Sequence, residues 1–280
     1  MNISRLFSAW LIVFVFIWVV PDEGRTASSR PLRVAATTTT KVSGILDVLH
    51  EAFEKRSGVR VHTIAVGTGK AIRIARSGDA DVLLVHSPEA EERFVRDGYG
   101  VGRHLVMSNY FVIVGPEADP ARVGGMKDGA AALRRIARSR TLFFSRGDDS
   151  GTHRKELALW KAAGLRPTGE WYRPVGQGMG ETLRITDEKR GYALTDRSSF
   201  LKLLSRRRIN LRVRVEGDKR LFNPYSVIVV NPEKHSHVQF RLATKYADFL
   251  VSSEGQRIIG AYRAGGRRLF TPAAPAFSRN

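Results

Sequence analysis

The sequence predicts an α/β fold in which ligands sit where strands hand over to helices. Short apolar runs of strand length alternate with segments of helical spacing, and this alternation implies mostly parallel sheets flanked by helices on both faces. Glycine- and hydroxyl-rich turns recur at the junctions, the carboxyl ends of the strands, where such folds bind ligands. The composition agrees. A hydrophobic content of 42% and a charged content of 26% are ordinary for a folded chain, and 280 residues allow one or two domains.

The chain opens with Arg5, an apolar run over residues 7–20, and the polar Pro21-Asp22-Glu23-Gly24. That run is too short to span a bilayer comfortably and has the length of a secretory signal's apolar region. Ala27-Ser28-Ser29 offers a cleavage site, so residues 1–29 are expected to be a signal peptide and the mature chain to begin near Arg30. The chain has no cysteine, which excludes a lipid-modified N-terminal cysteine and any disulfide. A periplasmic location without a lipid anchor is the expectation.

A first buried strand is predicted over residues 32–36, and Thr37-Thr38-Thr39-Thr40 follow it as a turn. Ile45, Leu46, Val48, Leu49, Ala52 and Phe53 have helical spacing up to Ser57-Gly58. Residues 59–66 alternate as a strand and run into Gly67-Thr68-Gly69-Lys70 and a second helix. Residues 81–86 form a third strand, and Pro88 opens a helix that ends near Gly98. A fourth strand covers 109–115, closed by Pro116, and a helix covers 126–138. The run Thr141-Leu142-Phe143-Phe144 reads as a strand and residues 154–163 as a helix. Gly176-Gln177-Gly178-Met179-Gly180 introduces another helix. Gly191-Tyr192-Ala193-Leu194-Thr195 is a strand, and Asp196 is placed to cap the helix beyond it. Strands over 211–215 and 225–230, a helical pair over 237–251 and 253–262, and an irregular end complete the chain.

Between the strand at Phe144 and its helix lies Ser145-Arg146-Gly147-Asp148-Asp149-Ser150-Gly151-Thr152-His153. A helix start exposes unpaired N–H groups and the positive end of its dipole, and Arg146 adds a permanent charge with a planar fork of donors. The turn is thus a seat for an anion. It also reads as a capped helix start, with Asp149 or Ser150 as N-cap and Arg146 paired to Asp148. Thr37 to Thr40 and Gly67 to Gly69 are turns of the same kind without a full charge. Together the three suit a small oxyanion held by hydrogen bonds rather than acid–base chemistry, which requires a positioned histidine or carboxylate.

Other chemistries fail on the residues. Gly67-Thr68-Gly69-Lys70-Ala71 is not a phosphate loop, because Ile64 and Ala71 stand where that motif needs glycine and Ser or Thr. Gly147-Asp148-Asp149-Ser150-Gly151 is like a protease serine setting, but an inserted acid breaks the match and the strand–helix alternation is wrong for that fold. His235-Ser236-His237 is the only close histidine pair, read as solvated loop residues, and no metal site is expected. The net charge of +19 would suit an anion or an acidic surface. Its basic residues are scattered apart from Arg206-Arg207-Arg208, and no nucleic-acid motif accompanies them.

Several blocks taken together resemble the tungstate-binding proteins of bacterial ABC importers. They are Ala36-Thr37-Thr38-Thr39 with Ser43-Gly44-Ile45-Leu46-Asp47, then Ala65-Val66-Gly67-Thr68-Gly69 and Asp81-Val82-Leu83-Leu84-Val85-His86. The remaining blocks are the Ser145–His153 stretch and Gly176-Gln177-Gly178-Met179-Gly180. The resemblance runs from about Arg33 to Phe270. It implies a type 2 periplasmic binding protein of two α/β lobes joined by two crossing strands. One lobe is expected over 30–108 plus 225–280 and the other over 109–224, with crossovers near 111–114 and 223–227. Tyr110 departs from the family pattern, which has an Asp there, and Thr40-Lys41 departs where a Ser is usual. The resemblance implies capture of tungstate, with molybdate as a further oxyanion, by Thr38, Thr39, Thr68, Gly69, Arg146, Ser150 and Thr152. No cofactor, resident metal or enzymatic activity is implied, and the partners are an ABC permease and its cytoplasmic ATPase. A monomer is expected. An oxyanion sensor docking on a membrane receptor would use the same cleft and is the alternative reading.

Overall fold

The computed structural model describes residues 30–206 and 209–273; the expected signal peptide, and Arg207 and Arg208, lie outside the described residues. The first strand, β1 (Leu32–Thr37), ends where Thr37 accepts a hydrogen bond from the Thr40 N–H and caps the short helix α1 (Thr38–Ser43). The four threonines are therefore not a simple turn, since three of them are helical. Gly44, at φ +83°, separates α1 from α2 (Ile45–Ser57). Then follow β2 (Val61–Val66), α3 (Thr68–Arg76), β3 (Val82–Val85) and α4 (Pro88–Arg96).

The next strand, β4 (Gly100–Pro116), is longer than its apolar pattern predicts. Residues 101–105 carry Arg103 and His104 and are exposed on a ladder with a later strand, so they show no apolar run. After it come α5 (Gly129–Ser139), β5 (Phe143–Ser145), α6 (Gly151–Ala162), β6 (Tyr172–Pro174) and α7 (Met179–Glu188). The helix expected from residue 126 begins later, because Asp128 caps it by accepting from the Ala131 N–H. The helix expected from Arg154 begins earlier, at Gly151, capped by Ser150. The chain continues through β7 (Ala193–Asp196), α8 (Arg197–Arg206), β8 (Leu211–Val215) and β9 (Phe222–Val230). It closes with α9 (Phe240–Val251), α10 (Ser253–Ala261), the hairpin β10 (Arg263–Ala264) with β11 (Arg267–Arg268), and β12 (Thr271–Pro272). The end expected to be irregular thus returns to the sheet through β12, antiparallel to β4.

The main sheet runs β12-β4-β9-β3-β1-β2, with β7 and β8 also paired to β4. It is mixed rather than mostly parallel. β1 pairs in parallel with β2 and β3, whereas β3–β9, β4–β9, β4–β7 and β4–β8 are antiparallel. The reason is that β9 is inserted next to β3 from far along the chain, and β4 is long enough to pair with β9 at one end and with β7 and β8 at the other.

Alternation along each strand divides the core between the faces of the sheet. Val34 and Leu84 pack with Leu46, Phe53, Tyr246 and Phe270, while Ala35 and Leu83 pack with Ala71, Phe94 and Ile228. At the far end of β4, Ile113 joins Leu133, Trp160 and Tyr192, and Val112 and Val114 join Leu183 and Phe200. Among the described residues no helix is long and apolar enough to cross a membrane.

Candidate functional site

Three polar turns meet where β1, β2 and β5 give way to α1, α3 and α6. In the β5–α6 turn, Gly147 takes φ +64°, and a Cβ there would stand 2.9 Å from Cβ of Pro174. Only glycine fits both demands. The turn then places Arg146 almost wholly out of water, at 3% exposure. Its Nη2 lies 3.3 Å from Thr38 Oγ1 and 3.0 Å from Asp148 Oδ2, while its Nε is buried with no hydrogen-bond partner.

Both acids of the turn are engaged. Asp148 pairs with Arg146 and accepts from the Ser150 N–H at 3.1 Å. Asp149 forms a bidentate pair with Arg154, at 3.0 and 2.8 Å, which holds its carboxyl below the usual carboxylate range. Ser150 is the N-cap, its Oγ accepting from the His153 N–H at 3.3 Å. The capped-start reading and the Arg146–Asp148 pair are therefore both present in the structure, and they coexist with a cation facing another turn.

The remaining expected residues divide into those joined to this turn and those turned elsewhere. Thr68 Oγ1 accepts from the Gly151 N–H at 3.2 Å, so that helix-start donor is occupied. A Cβ on Gly151 would be 3.0 Å from both Thr68 Oγ1 and His86 Cε1, which is why this position is glycine. Thr152 Oγ1 is buried without a partner. Gly69 lies under Arg154 and Asp149, whose side-chain atoms stand 3.1 and 3.2 Å from where its Cβ would be. Thr39 is buried and its Oγ1 lies 3.2 Å from His86 Nε2 and 2.9 Å from Thr37 Oγ1.

His86, just beyond β3, belongs to none of the expected sets. Its Nδ1 lies 2.9 Å from Asn223 Oδ1, and Asn223 Nδ2 donates to Asn109 Oδ1 at 2.7 Å. Asn109 Nδ2 donates to Ser198 Oγ at 3.1 Å, and the Ser198 hydroxyl donates to Asp196. Asp196 also caps α8 as expected, accepting from the Ser199 N–H at 2.9 Å. The imidazole stacks on Tyr225 with centroids 4.7 Å apart, and burial pushes its pKa below the ordinary histidine value, so the ring is uncharged at neutral pH. The sequence offers one signal for this residue: a histidine closing an otherwise apolar strand.

Further side chains hydrogen-bond to backbone carbonyls. Lys155 is not a solvated cation: its Nζ donates to the carbonyls of Arg220 and Phe222 at 3.1 and 3.4 Å, and burial lowers its pKa. His235 and His237 lie in a loop, as expected, with His237 exposed. Their Nε2 atoms each stand 2.9 Å from a backbone carbonyl, that of Arg76 and that of Gly78. The described residues contain no cluster of His, Cys, Asp or Glu able to hold a metal ion. What converges on the turns is a buried guanidinium with threonine and serine hydroxyls, a set that can hold an oxyanion by charge and donated hydrogen bonds.

Comparison with known proteins agrees with this chemistry. The PBP superfamily domain matches residues 25–254. A tungstate-binding protein TupA of Peptoclostridium acidaminophilum is 42% identical over 254 residues, 89% of this chain and 88% of the relative. The chain belongs to the TupA tungstate-binding family. The structure of the tungstate ABC transporter from Geobacter sulfurreducens is 46% identical with a TM-score of 0.77, covering 83% of this chain and 99% of that one. The TupA structure from Desulfovibrio alaskensis G20 is 44% identical with a TM-score of 0.77, covering 88% and 100%. The α/β fold described above is that of these tungstate-binding structures.

Proposed function

We propose that this protein captures tungstate, and molybdate as a second oxyanion, outside the cytoplasm and delivers it to an ABC permease driven by a cytoplasmic ATPase. In this reading it works as a monomer, released to the periplasm by a signal peptide over residues 1–29. The observation that carries the proposal is the buried Arg146, held between Asp148 and Thr38. A guanidinium with an unpartnered buried Nε has donor capacity left for a dianion, and Thr152 Oγ1, also buried and unpartnered, has the same.

The two-lobed arrangement is part of the same reading. With residues 30–108 and 225–280 as one lobe and 109–224 as the other, Thr38 and Thr68 lie on the first lobe and Arg146, Gly151 and Thr152 on the second. The Thr38–Arg146 and Thr68–Gly151 hydrogen bonds then cross a closing cleft. β9 pairs along its length with the first part of β4, from Gly100 with Val230 to Tyr110 with Phe222, and the two serve as the crossing strands. Thr38, Thr68, Arg146, Ser150, Thr152 and the Gly69 N–H face the anion, and Thr39 completes the set with a hydroxyl that it shares with His86.

Isothermal titration of the mature protein with tungstate, molybdate, sulfate and phosphate tests the proposal. Tight binding of tungstate with weaker binding of phosphate is expected. A protein that binds none of the four overturns it.

A further inference from the structure

The hydrogen-bond chain behind the threonine turn has a direction. Asp196 Oδ1 receives both the Ser198 hydroxyl and the Ser199 N–H, and a carboxylate oxygen can only accept. Ser198 Oγ therefore uses its hydrogen on Asp196 and accepts from Asn109 Nδ2; Asn109 Oδ1 in turn accepts from Asn223 Nδ2. Asn223 is left with its carbonyl oxygen toward His86, so the ring's single N–H is on Nδ1. Nε2 then carries a lone pair. The Thr39 hydroxyl, 3.2 Å away, donates to it; with that hydrogen committed, Thr39 Oγ1 accepts from the Thr37 hydroxyl at 2.9 Å, and its own hydrogen is turned away from any anion at the turn.

We propose that His86 is a positioning residue for the oxyanion: while the ring is neutral it holds the Thr39 hydroxyl hydrogen away from the ligand, and a proton gained at Nε2 releases that hydrogen to the ligand. This rests on the tungstate-binding reading above. In the protonated ring Nε2–H donates to Thr39 Oγ1, and the Thr39 hydrogen becomes an additional donor for the dianion. The proton comes from solvent and no bond other than hydrogen bonds changes.

Burial and charged neighbours act on the ring in opposite senses. Burial, the guanidinium of Arg146 and the ammonium of Lys155 oppose a charge on the ring, whereas Asp196 and the Asn223 carbonyl favour it. A dianion beside Arg146 offsets that cation and shifts the balance toward the protonated ring. Because linkage is reciprocal, proton uptake by His86 and anion binding strengthen each other. Tyr225 and Phe111, with ring centroids 4.7 and 6.1 Å from the imidazole, pack against it, so the response is a change of proton rather than a swing of the ring.

Calorimetric titration with micromolar tungstate in two buffers of different ionisation enthalpy, at pH 7 and pH 6, reads the number of protons taken up. The wild-type protein is expected to take up a fraction of a proton on binding, with Kd falling up to tenfold per pH unit as the solution is acidified. His86→Gln is expected to bind without proton uptake and with Kd independent of pH over that interval. Thr39→Val keeps the imidazole and its Asn223 bond but lacks the relayed hydroxyl, and it is expected to lose most of the uptake. It also serves as the test if the glutamine variant does not fold. Wild-type binding with no proton exchange, or uptake unchanged in either variant, overturns the inference alone. Absence of tungstate binding to the wild type overturns the reading beneath it as well.

Discussion

Arg146 and Asp148 form an ion pair of 3.0 Å through the same Nη2 that stands 3.3 Å from Thr38 Oγ1. An anion entering this turn therefore meets a guanidinium already partly neutralised. Asp148→Asn retains an oxygen to accept from the Ser150 N–H but removes the charge. Tungstate affinity is expected to rise, by about 1 kcal/mol for a nearby charge in a partly solvated site. Titration of the folded variant checks this, and unchanged affinity would mean that the carboxylate lies outside the field of the ligand.

Arg146→Ala is expected to cost about 2–5 kcal/mol of tungstate affinity, the range for removing one partner of a desolvated charge pair. Arg146→Lys should fall between the two, since it retains charge but loses the fork. Ser150→Ala and Thr152→Ala should each cost roughly 1–2 kcal/mol as lost hydrogen bonds. Circular dichroism separates lost binding from lost folding.

Gly151→Ala tests the Thr68–Gly151 contact without removing a polar group. The added methyl carbon would stand 3.0 Å from Thr68 Oγ1 and His86 Cε1, closer than either tolerates comfortably. Overpacking of this kind costs about 1–3 kcal/mol. The expected result is weaker tungstate binding with unchanged secondary structure; wild-type affinity would show that this contact is not part of the bound state.

Phosphate should bind less tightly than tungstate. Near neutral pH phosphate retains a proton and needs an acceptor, and the turn's two carboxylates already pair with Arg146 and Arg154. An unpaired donor in a closed site costs roughly 1–3 kcal/mol. Competition titration decides the matter: phosphate displacing tungstate at comparable concentration would show that Asp148 accepts its proton.

Glu156, on α6 behind the turn, accepts from Tyr172 Oη at 2.8 Å and Trp160 Nε1 at 3.2 Å, and burial pushes its carboxyl up from 4.5 to about 7. Between those values the unfolded chain binds fewer protons than the folded one, so stability falls as pH rises and levels off above about 7. A shift of this size corresponds to about 3 kcal/mol. Glu156→Gln cannot titrate. The stability difference between wild type and variant is expected to move by that amount between pH 4.5 and pH 7 in favour of the variant, as measured by chemical denaturation, and a constant difference would contradict it.

Local chemistry reaches a long way in this protein. The apolar run at Phe143-Phe144, the glycine at 147 and the serine at 150 specify strand, turn and capped helix from neighbouring residues alone, and with them the presence of a cation at an anion seat. Strand–helix alternation likewise determined the α/β class, and the joint occurrence of the motif blocks determined the family. Pairing of distant segments was decided only in three dimensions. β9 enters between β3 and β4 in antiparallel sense because hydrogen bonding across a sheet depends on which edge is open when the chain returns, and no nearby residue encodes that. The Thr39, His86, Asn223, Asn109, Ser198 and Asp196 chain is of the same kind. Each is an unremarkable polar residue in its own segment, and burial of all of them side by side is what obliges every hydrogen bond to be satisfied and so gives the chain its direction.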